Sequence, residues 1–197
     1  TAQEAFDRMF NFKWLPPGRG IANMGTDFVI DEWDSTSLQN CAFISTKTDF
    51  SDAMHFLMLA SMNGVGVGTD TLGAGRVKIL PRLEEYAKYQ IPDTREGWAE
   101  ALKMQLDSFI NGTEKILFDY SLIRPAGAPI VRFGGTASGP ESLKYLLDWI
   151  EERCEKKVNQ TLDIVDIADI ANQVGCCVVS GSSRRSAEIL LGPQTEE

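Results

Sequence analysis

The sequence predicts an α/β fold, on three observations. Leu38-Gln39-Asn40-Cys41-Ala42-Phe43-Ile44-Ser45-Thr46 carries a short apolar run rich in strand-forming residues after a polar lead-in. Gly64-Val65-Gly66-Val67-Gly68 alternates glycine with valine directly after a helical stretch, the pattern of a strand whose valines face a core and whose glycines let something lie against the backbone. Helical segments with capping signals separate these runs from further apolar ones. Active sites of α/β folds collect at strand ends, which makes Cys41 the first candidate functional residue. A strand cysteine with no such context is a small buried hydrophobe.

Residues 3–12 place Ala5, Phe6, Met9 and Phe10 on one helical face, and Pro16-Pro17-Gly18-Arg19-Gly20 is expected to end that helix. Thr26 follows in a turn-like stretch. Asp49 or Ser51 caps a helix through about Asn63, with Met54, Leu57, Met58 and Met62 as its packed face and Asn63-Gly64 as its stop. His55, the single histidine, has no partner at ligand spacing and reads as structural. Gly64–Gly68 lacks the G-x-G-x-x-G spacing and follows a helix, so it is not a dinucleotide fingerprint.

Asp93 with Glu96 reads as a capping box opening a helix to about Ile110. Ile116–Tyr120 reads as a strand running into Ser121-Leu122-Ile123-Arg124-Pro125-Ala126-Gly127, a punctuated loop that with Arg132 suits a phosphate group. A loop arginine is otherwise simply solvated. Ser138-Gly139-Pro140-Glu141 is a second capping box, for a helix to about Cys154, a cysteine set among charges. Thr161 is expected to cap a helix over Leu162–Val174 that Gly175 ends. Cys176-Cys177-Val178-Val179 then reads as a buried strand whose two thiols point to opposite faces and stay in the core. The loop Gly181-Ser182-Ser183-Arg184-Arg185-Ser186 separates it from the apolar run Ile189-Leu190-Leu191.

Composition narrows the function. The 197 residues are 43% hydrophobic and 24% charged, which suits a globular domain with a sizeable core. A net charge of −9 argues against nucleic acid as a partner, while a local arginine cluster is enough to hold a nucleotide. No apolar run reaches the roughly 18 residues of a membrane span. The four cysteines form no CxxC pair, which argues against zinc and for reduced thiols in a cytoplasmic setting. The chain opens in a helix and stops soon after an apolar run, and so reads as a piece of a larger protein.

Taken in order, the Cys41 strand, the Gly64–Gly68 strand, Ser121–Pro129 with Phe133-Gly134-Gly135-Thr136-Ala137-Ser138-Gly139-Pro140, and Asp169–Asn172 with Val178–Glu188 resemble the catalytic subunit of ribonucleotide reductases. Within that family the set is similar to the monomeric, adenosylcobalamin-dependent (class II) ribonucleoside-triphosphate reductases, because residues 69–118, with Asp93-Thr94-Arg95-Glu96-Gly97-Trp98, match the insertion of that subfamily. The resemblance covers nearly the whole chain.

The resemblance implies the first half of a ten-stranded α/β barrel, with about five strands here and residues 1–197 forming one partial catalytic domain. It implies thiyl-radical reduction of a ribonucleoside triphosphate, with Cys41 as one of the two cysteines that supply electrons. Thr26, Asn40, Cys41 and Gly66 match substrate contacts. Ser121, Arg124, Arg132, Ser183, Arg184 and Arg185 match loops that bind a deoxynucleoside triphosphate effector and pass its signal to the substrate base. The implied cofactor is adenosylcobalamin, its site outside this chain; the implied partners are a thioredoxin-type reductant and the second barrel half, which holds the radical-forming cysteine. The chain alone is expected to be inactive. The alternative is a non-catalytic nucleotide-binding module derived from the same fold.

Overall fold

Short strands alternate with capped helices along the chain. The computed structural model describes residues 1–23, 25–26, 29, 35–130, 136–179 and 186–193, with Asn23, Ser35 and Ser37 described by backbone alone. They fall into two units, Thr1–Asn40 and Cys41–Glu197.

In the first unit, helix α1 (Ala2–Phe10) is capped by Thr1, whose Oγ1 accepts the Glu4 N–H at 3.2 Å. Ala5 and Met9 are half-buried, whereas Phe6 and Phe10 are exposed. The helix stops at Asn11, ahead of the prolines expected to end it, and Phe12 turns the chain with φ of 53°. Pro17 instead precedes a short helix, α2 (Gly18–Asn23), where a fixed φ and a missing N–H cost nothing. Arg19 donates from Nη1 to the Gln39 carbonyl at 2.8 Å, and Ser35–Leu38 forms a 3-10 turn.

The second unit is built on three parallel strands in the order β1 (Cys41–Ile44), β2 (Gly66–Asp70), β5 (Glu188–Leu191). Helix α3 (Phe50–Met62) makes the crossover from β1 to β2, capped by Asp49, which accepts the Asp52 N–H at 2.9 Å. Val65 and Val67 are buried as the alternation predicts. Gly68 has a packing reason: a Cβ there would lie 2.9 Å from Phe43 Cδ2 and 3.2 Å from an Ile189 methyl, so the flanking strands' side chains close over it.

Residues 69–119 contain a second parallel pair, β3 (Leu83–Gln90) and β4 (Glu114–Asp119), joined by α4 (Arg95–Asn111). Of the five strands among the described residues, three therefore share the main sheet and two form their own. Thr94, not Asp93, caps α4, accepting the Gly97 N–H at 2.9 Å, and Gly112 ends it in the left-handed region with φ of 64°. Gly97 is needed because a Cβ would meet the Pro92 carbonyl at 2.7 Å.

Helices α5 (Glu141–Glu155) and α6 (Ile164–Val179) complete the layer against α3 and α4. The core between them holds Met54, Leu57, Leu102, Phe109, Leu146, Ile150, Ile170 and Val174, all essentially inaccessible. Pro140 sits at the cap of α5 with no side-chain cap bond, so Ser138 is not a capping residue; its Oγ meets the Gly139 carbonyl at 3.2 Å. Cys154 belongs to the core despite its charged neighbours in sequence. At the start of α6, Asp163 and Asp166 cap each other's backbone N–H at 2.9 Å, the role expected of Thr161.

The largest departure is Cys176–Val179, which continues α6 and is not a strand. Ile167, Ile170, Ala171, Val174, Cys177 and Val178 are buried in one stripe at helical spacing, so packing carries the helix through Gly175. Gly175 serves close approach: a Cβ would sit 3.1 Å from a Glu188 carboxylate oxygen. Cys177 is in the core as expected, but Cys176 is exposed.

The outlet of the sheet is pinned by Asp70. Its carboxylate accepts the Thr46 N–H at 3.0 Å, the Thr46 hydroxyl at 2.9 Å and the Leu72 N–H at 3.1 Å. Burial pushes its pKa up, but bonds from Ser45, Thr46 and Leu72 outweigh that and hold it below its ordinary 3.8. A lowered folded-state pKa contributes stability that is complete above the unfolded value and lost as pH falls through the folded one. Acid unfolding below about pH 4 should therefore be steeper in the wild type than in Asp70→Asn. Equal acid slopes in denaturant melts would overturn this role for Asp70.

Candidate functional site

The sheet brings part of the predicted set together. Cys41 is the first residue of β1 and is exposed, and its register partner on β2 is Gly66. Asn40, also exposed, immediately precedes it. Phe43, Ile189 and Leu191 are exposed on the flanking strands, whereas Ala42 and Ile44 pack against the core. Cys41 is thus a thiol on the open face of the sheet, opposite a position without side-chain bulk at Gly66, while Gly68 two residues on is covered by Phe43 and Ile189. Cys41 stands at the amino end of its strand, not at the carboxyl end where open α/β sheets ordinarily place ligands.

The other cysteines are placed differently. Burial pushes the thiols of Cys154 and Cys177 up to about 12, with a Ser142 hydrogen bond opposing the shift at Cys177. Both stay protonated at neutral pH and are poor nucleophiles. None of the four cysteines is in a disulfide. Thr26 lies in an exposed bend of the first unit, its carbonyl accepting the Val29 N–H at 3.0 Å.

A second site lies where the start of α4 meets the segment after β4. Arg124 donates from Nε to Asp93 Oδ2 at 2.6 Å and is 40% exposed. The same cleft is lined by Thr94, Arg95 and Trp98 from α4, by Ser138 and Gly139 before α5, and by apolar Met62, Ile123 and Val178. One wall therefore offers a guanidinium and a helix N-terminus, and the floor offers apolar surface, including an indole. That combination suits a small anion carrying a flat apolar group. Ser121 is exposed just outside it, donating its N–H to Asp119 Oδ1 at 2.9 Å and accepting from Gln90 Nε2 at 3.1 Å.

Arg132, Ser183, Arg184 and Arg185 lie outside the described residues. Sequence reasoning missed Asp93 as the partner of Arg124, since 31 positions separate them and neither residue type is unusual in a loop. Trp98 and Thr94 were visible only as part of a helix start. Among the described residues no cluster of His, Cys, Asp and Glu could hold a metal ion, and no helix is long and apolar enough to cross a membrane. His55 faces Glu100 at 3.9 Å.

Residues 66–153 match the family model for the B12-dependent ribonucleotide reductase insertion domain. The chain is 39% identical, over its whole length, to 29% of the probable adenosylcobalamin-dependent ribonucleoside-triphosphate reductase of Dictyostelium discoideum. It is 42% identical over 97% of its length to 27% of the adenosylcobalamin-dependent ribonucleoside-triphosphate reductase of Euglena gracilis. A crystal structure of a B12-dependent (class II) ribonucleotide reductase superposes with a TM-score of 0.80 at 28% identity, covering 97% of this chain and 34% of that one. The fold is thus α/β and part of a reductase-type barrel, and the chain spans about three-tenths of the length of the curated relatives it matches.

Proposed function

Because the chain belongs to the adenosylcobalamin-dependent ribonucleotide reductase family, we propose that it forms the amino-terminal part of a reductase barrel, contributing one redox thiol and an effector site to the reduction of ribonucleoside triphosphates. One observation carries the reading: Cys41 stands exposed and in register with Gly66, with Asn40 beside it. A sugar laid on this open face would have a thiol at its edge and bare backbone beneath it. Cys41 is assigned as one of the two cysteines whose oxidation to a disulfide supplies two electrons as the 2′ hydroxyl leaves as water. Asn40, Gly66 and Thr26 are each assigned as substrate contacts on the resemblance.

The radical-forming cysteine, the second cysteine of the pair and the substrate-phosphate loop are assigned to the remainder of the barrel, so the chain alone is inactive. Adenosylcobalamin, when bound to a complete enzyme, supplies the radical. The described clefts do not fit a corrin: they are small and mixed in polarity, and His55, the single histidine, lines none of them. No residue of this chain is assigned to the cofactor. A thioredoxin-type reductant would restore the thiols, and a cytoplasmic setting suits four cysteines free of disulfides.

The cleft at Asp93 and Arg124 is assigned to a deoxynucleoside triphosphate effector, with Arg124 on a phosphate and Trp98, Ile123 and Val178 beneath the base. Ser121, Arg132 and the Ser183–Arg185 loop belong to the same proposal. A charge-assisted bond to phosphate is worth roughly 1.5–3 kcal/mol, so Arg124→Ala should weaken binding about ten- to a hundredfold in calorimetric titration. Unchanged affinity in that variant would remove Arg124 from the site. If no deoxynucleoside triphosphate binds the wild-type chain, the effector reading falls.

A further inference from the structure

The second unit repeats one motif. β1–α3–β2 and β3–α4–β4 are each a strand, a helix and a parallel strand, and both helices end in Asn-Gly, at Asn63-Gly64 and Asn111-Gly112, with each glycine at positive φ. The two helices lie side by side and run in opposite directions. Arg95 meets Asn63, Glu100 meets His55, Lys103 meets Asp52 and Asp107 meets Ser51. The amino end of each helix therefore lies beside the carboxyl end of the other. The cleft at Arg124 occupies one such place, at the start of α4 beside Met62. A second cleft, of about 400 Å³, occupies the other, where Phe50 and Ser51 open α3 and Ile110 and Asn111 close α4.

Three cations line this second cleft: Lys47 from the loop after β1, and Arg76 and Lys78 from the loop after β2. Both loops leave the carboxyl ends of adjacent parallel strands, where open α/β sheets receive ligands. The loops are fixed to each other. The buried Thr46 hydroxyl accepts the Gly73 N–H at 2.9 Å, and a Cβ at Gly73 would meet the Thr46 carbonyl at 2.8 Å. Beyond the cations, the Leu80 N–H reaches the Phe109 carbonyl at 2.7 Å and ties the second loop to the end of α4. The backbone that presents the three charges is thus held at both ends.

Their charges are not spent within the chain. Among the described residues none of Lys47, Arg76 and Lys78 is in an ion pair, whereas nearby Lys103 is shared by Asp52 at 2.6 Å and Asp107 at 3.1 Å. The two carboxylates that line the cleft are engaged elsewhere. Asp107 takes Lys103, and Asp49 accepts the Asp52 N–H at 2.9 Å and the Ser51 hydroxyl at 3.0 Å. In a chain of net charge −9, three uncompensated cations gathered at the amino end of a helix draw an anion to that place.

We propose that this second cleft binds a polyphosphate, with Lys47, Arg76 and Lys78 on its phosphate oxygens. Three cations spread over two loops match a row of phosphates better than a single carboxylate, and charge-assisted bonds to phosphate are the strong ones for these side chains. The proposal stands apart from the effector reading, which concerns the cleft at Arg124.

The test reads the lysines of the cleft directly. The full chain is acetylated with acetic anhydride, with and without tripolyphosphate or dATP, and the rates at Lys47 and Lys78 are followed by peptide mass spectrometry, with the exposed Lys144 as reference. Both lysines should slow about threefold when the ligand stands at about twice its Kd, while Lys144 is unchanged. Protection by tripolyphosphate identifies a free polyphosphate as sufficient, and protection by dATP alone identifies a nucleotide; either supports the site. Arg76→Gln, at an exposed position, should keep the fold and weaken binding about fivefold, less than loss of a buried charged bond would. Arg124→Ala should leave the protection intact. Absence of protection by both ligands, equal slowing of Lys144, or protection undiminished in Arg76→Gln overturns the proposal. Protection lost in Arg124→Ala also overturns it and places the ligand in the other cleft. None of these results decides the effector reading, which stands or falls on deoxynucleoside triphosphate affinity at Arg124.

Discussion

Replacing Cys41 by serine in a complete reductase that carries this segment is expected to abolish multiple turnover. Removing the 2′ hydroxyl of a ribonucleotide as water and placing hydrogen on that carbon takes two electrons, and two thiols closing to a disulfide deliver them. On the function proposed above, Cys41 is the thiol of this chain that takes part, since it is exposed on the sheet face opposite Gly66. Cys154 and Cys177 are buried and held protonated, and Cys176 lies on α6. Serine keeps the size and a hydrogen bond but cannot form the disulfide, so substrate binding should persist while product stops. The partner cysteine must come within a Cα separation of about 7 Å, which the bare backbone at Gly66 leaves room to approach. Multiple-turnover assay of Cys41→Ser with ribonucleoside triphosphates and a dithiol is the measurement. Turnover at the wild-type rate would take Cys41 out of the mechanism.

The parts of this site that could be read in the sequence are those set by local pattern. The strand at Cys41, the glycine-valine strand and the helix capped by Asp49 each follow from residues adjacent in the chain, and the register that puts Cys41 opposite Gly66 completes them. The misreadings share a cause. Cys176–Val179 looks like a strand because it is short, apolar and preceded by glycine, yet Val174, Cys177 and Val178 extend the buried stripe of α6 at spacings of three and four. Leu83–Gln90 shows no strand signal because its side chains are largely exposed, and its pairing with Glu114–Asp119 comes from the crossover helix between them. Asp93 looked like a cap because it lies near an acidic residue at capping spacing, but Thr94 is the residue whose oxygen reaches an N–H. Long-range pairs such as Asp93 with Arg124 leave no trace in local pattern at all.

Arg82 is the extreme case of that blindness, and its removal carries the largest stability effect expected here. Its side chain is 1% exposed. Nη1 donates to Glu151 at 2.9 Å, Nη2 donates to both Glu151 and Glu155, the latter at 2.7 Å, and the guanidinium stacks 3.8 Å from the centre of the Phe109 ring. Gln105 reaches the same Glu151 carboxylate at 2.6 Å. One side chain thus ties the approach to β3 to both α4 and α5. Burial works against the charge, but the bonds from Glu151 and Glu155 outweigh it, and the arginine pKa lies above its ordinary value. Breaking a fully buried pair from one side costs about 3–5 kcal/mol; here Glu151 and Glu155 are 41% and 49% exposed and can turn to water, which lowers the figure. Arg82→Ala should therefore cost about 3 kcal/mol, combining lost charged bonds with a cavity against Phe109, and lower Tm by about 10 °C. Arg82→Met, which fills the space with apolar stem, should cost roughly 1 kcal/mol. The difference between the two variants separates packing from charge, and because the contact is sheltered, raising the salt to about 0.5 M should change the Arg82→Ala loss little. A loss under about 1 kcal/mol for Arg82→Ala in denaturant melts would mean that the cost of desolvating the guanidinium cancels its bonds in the folded chain.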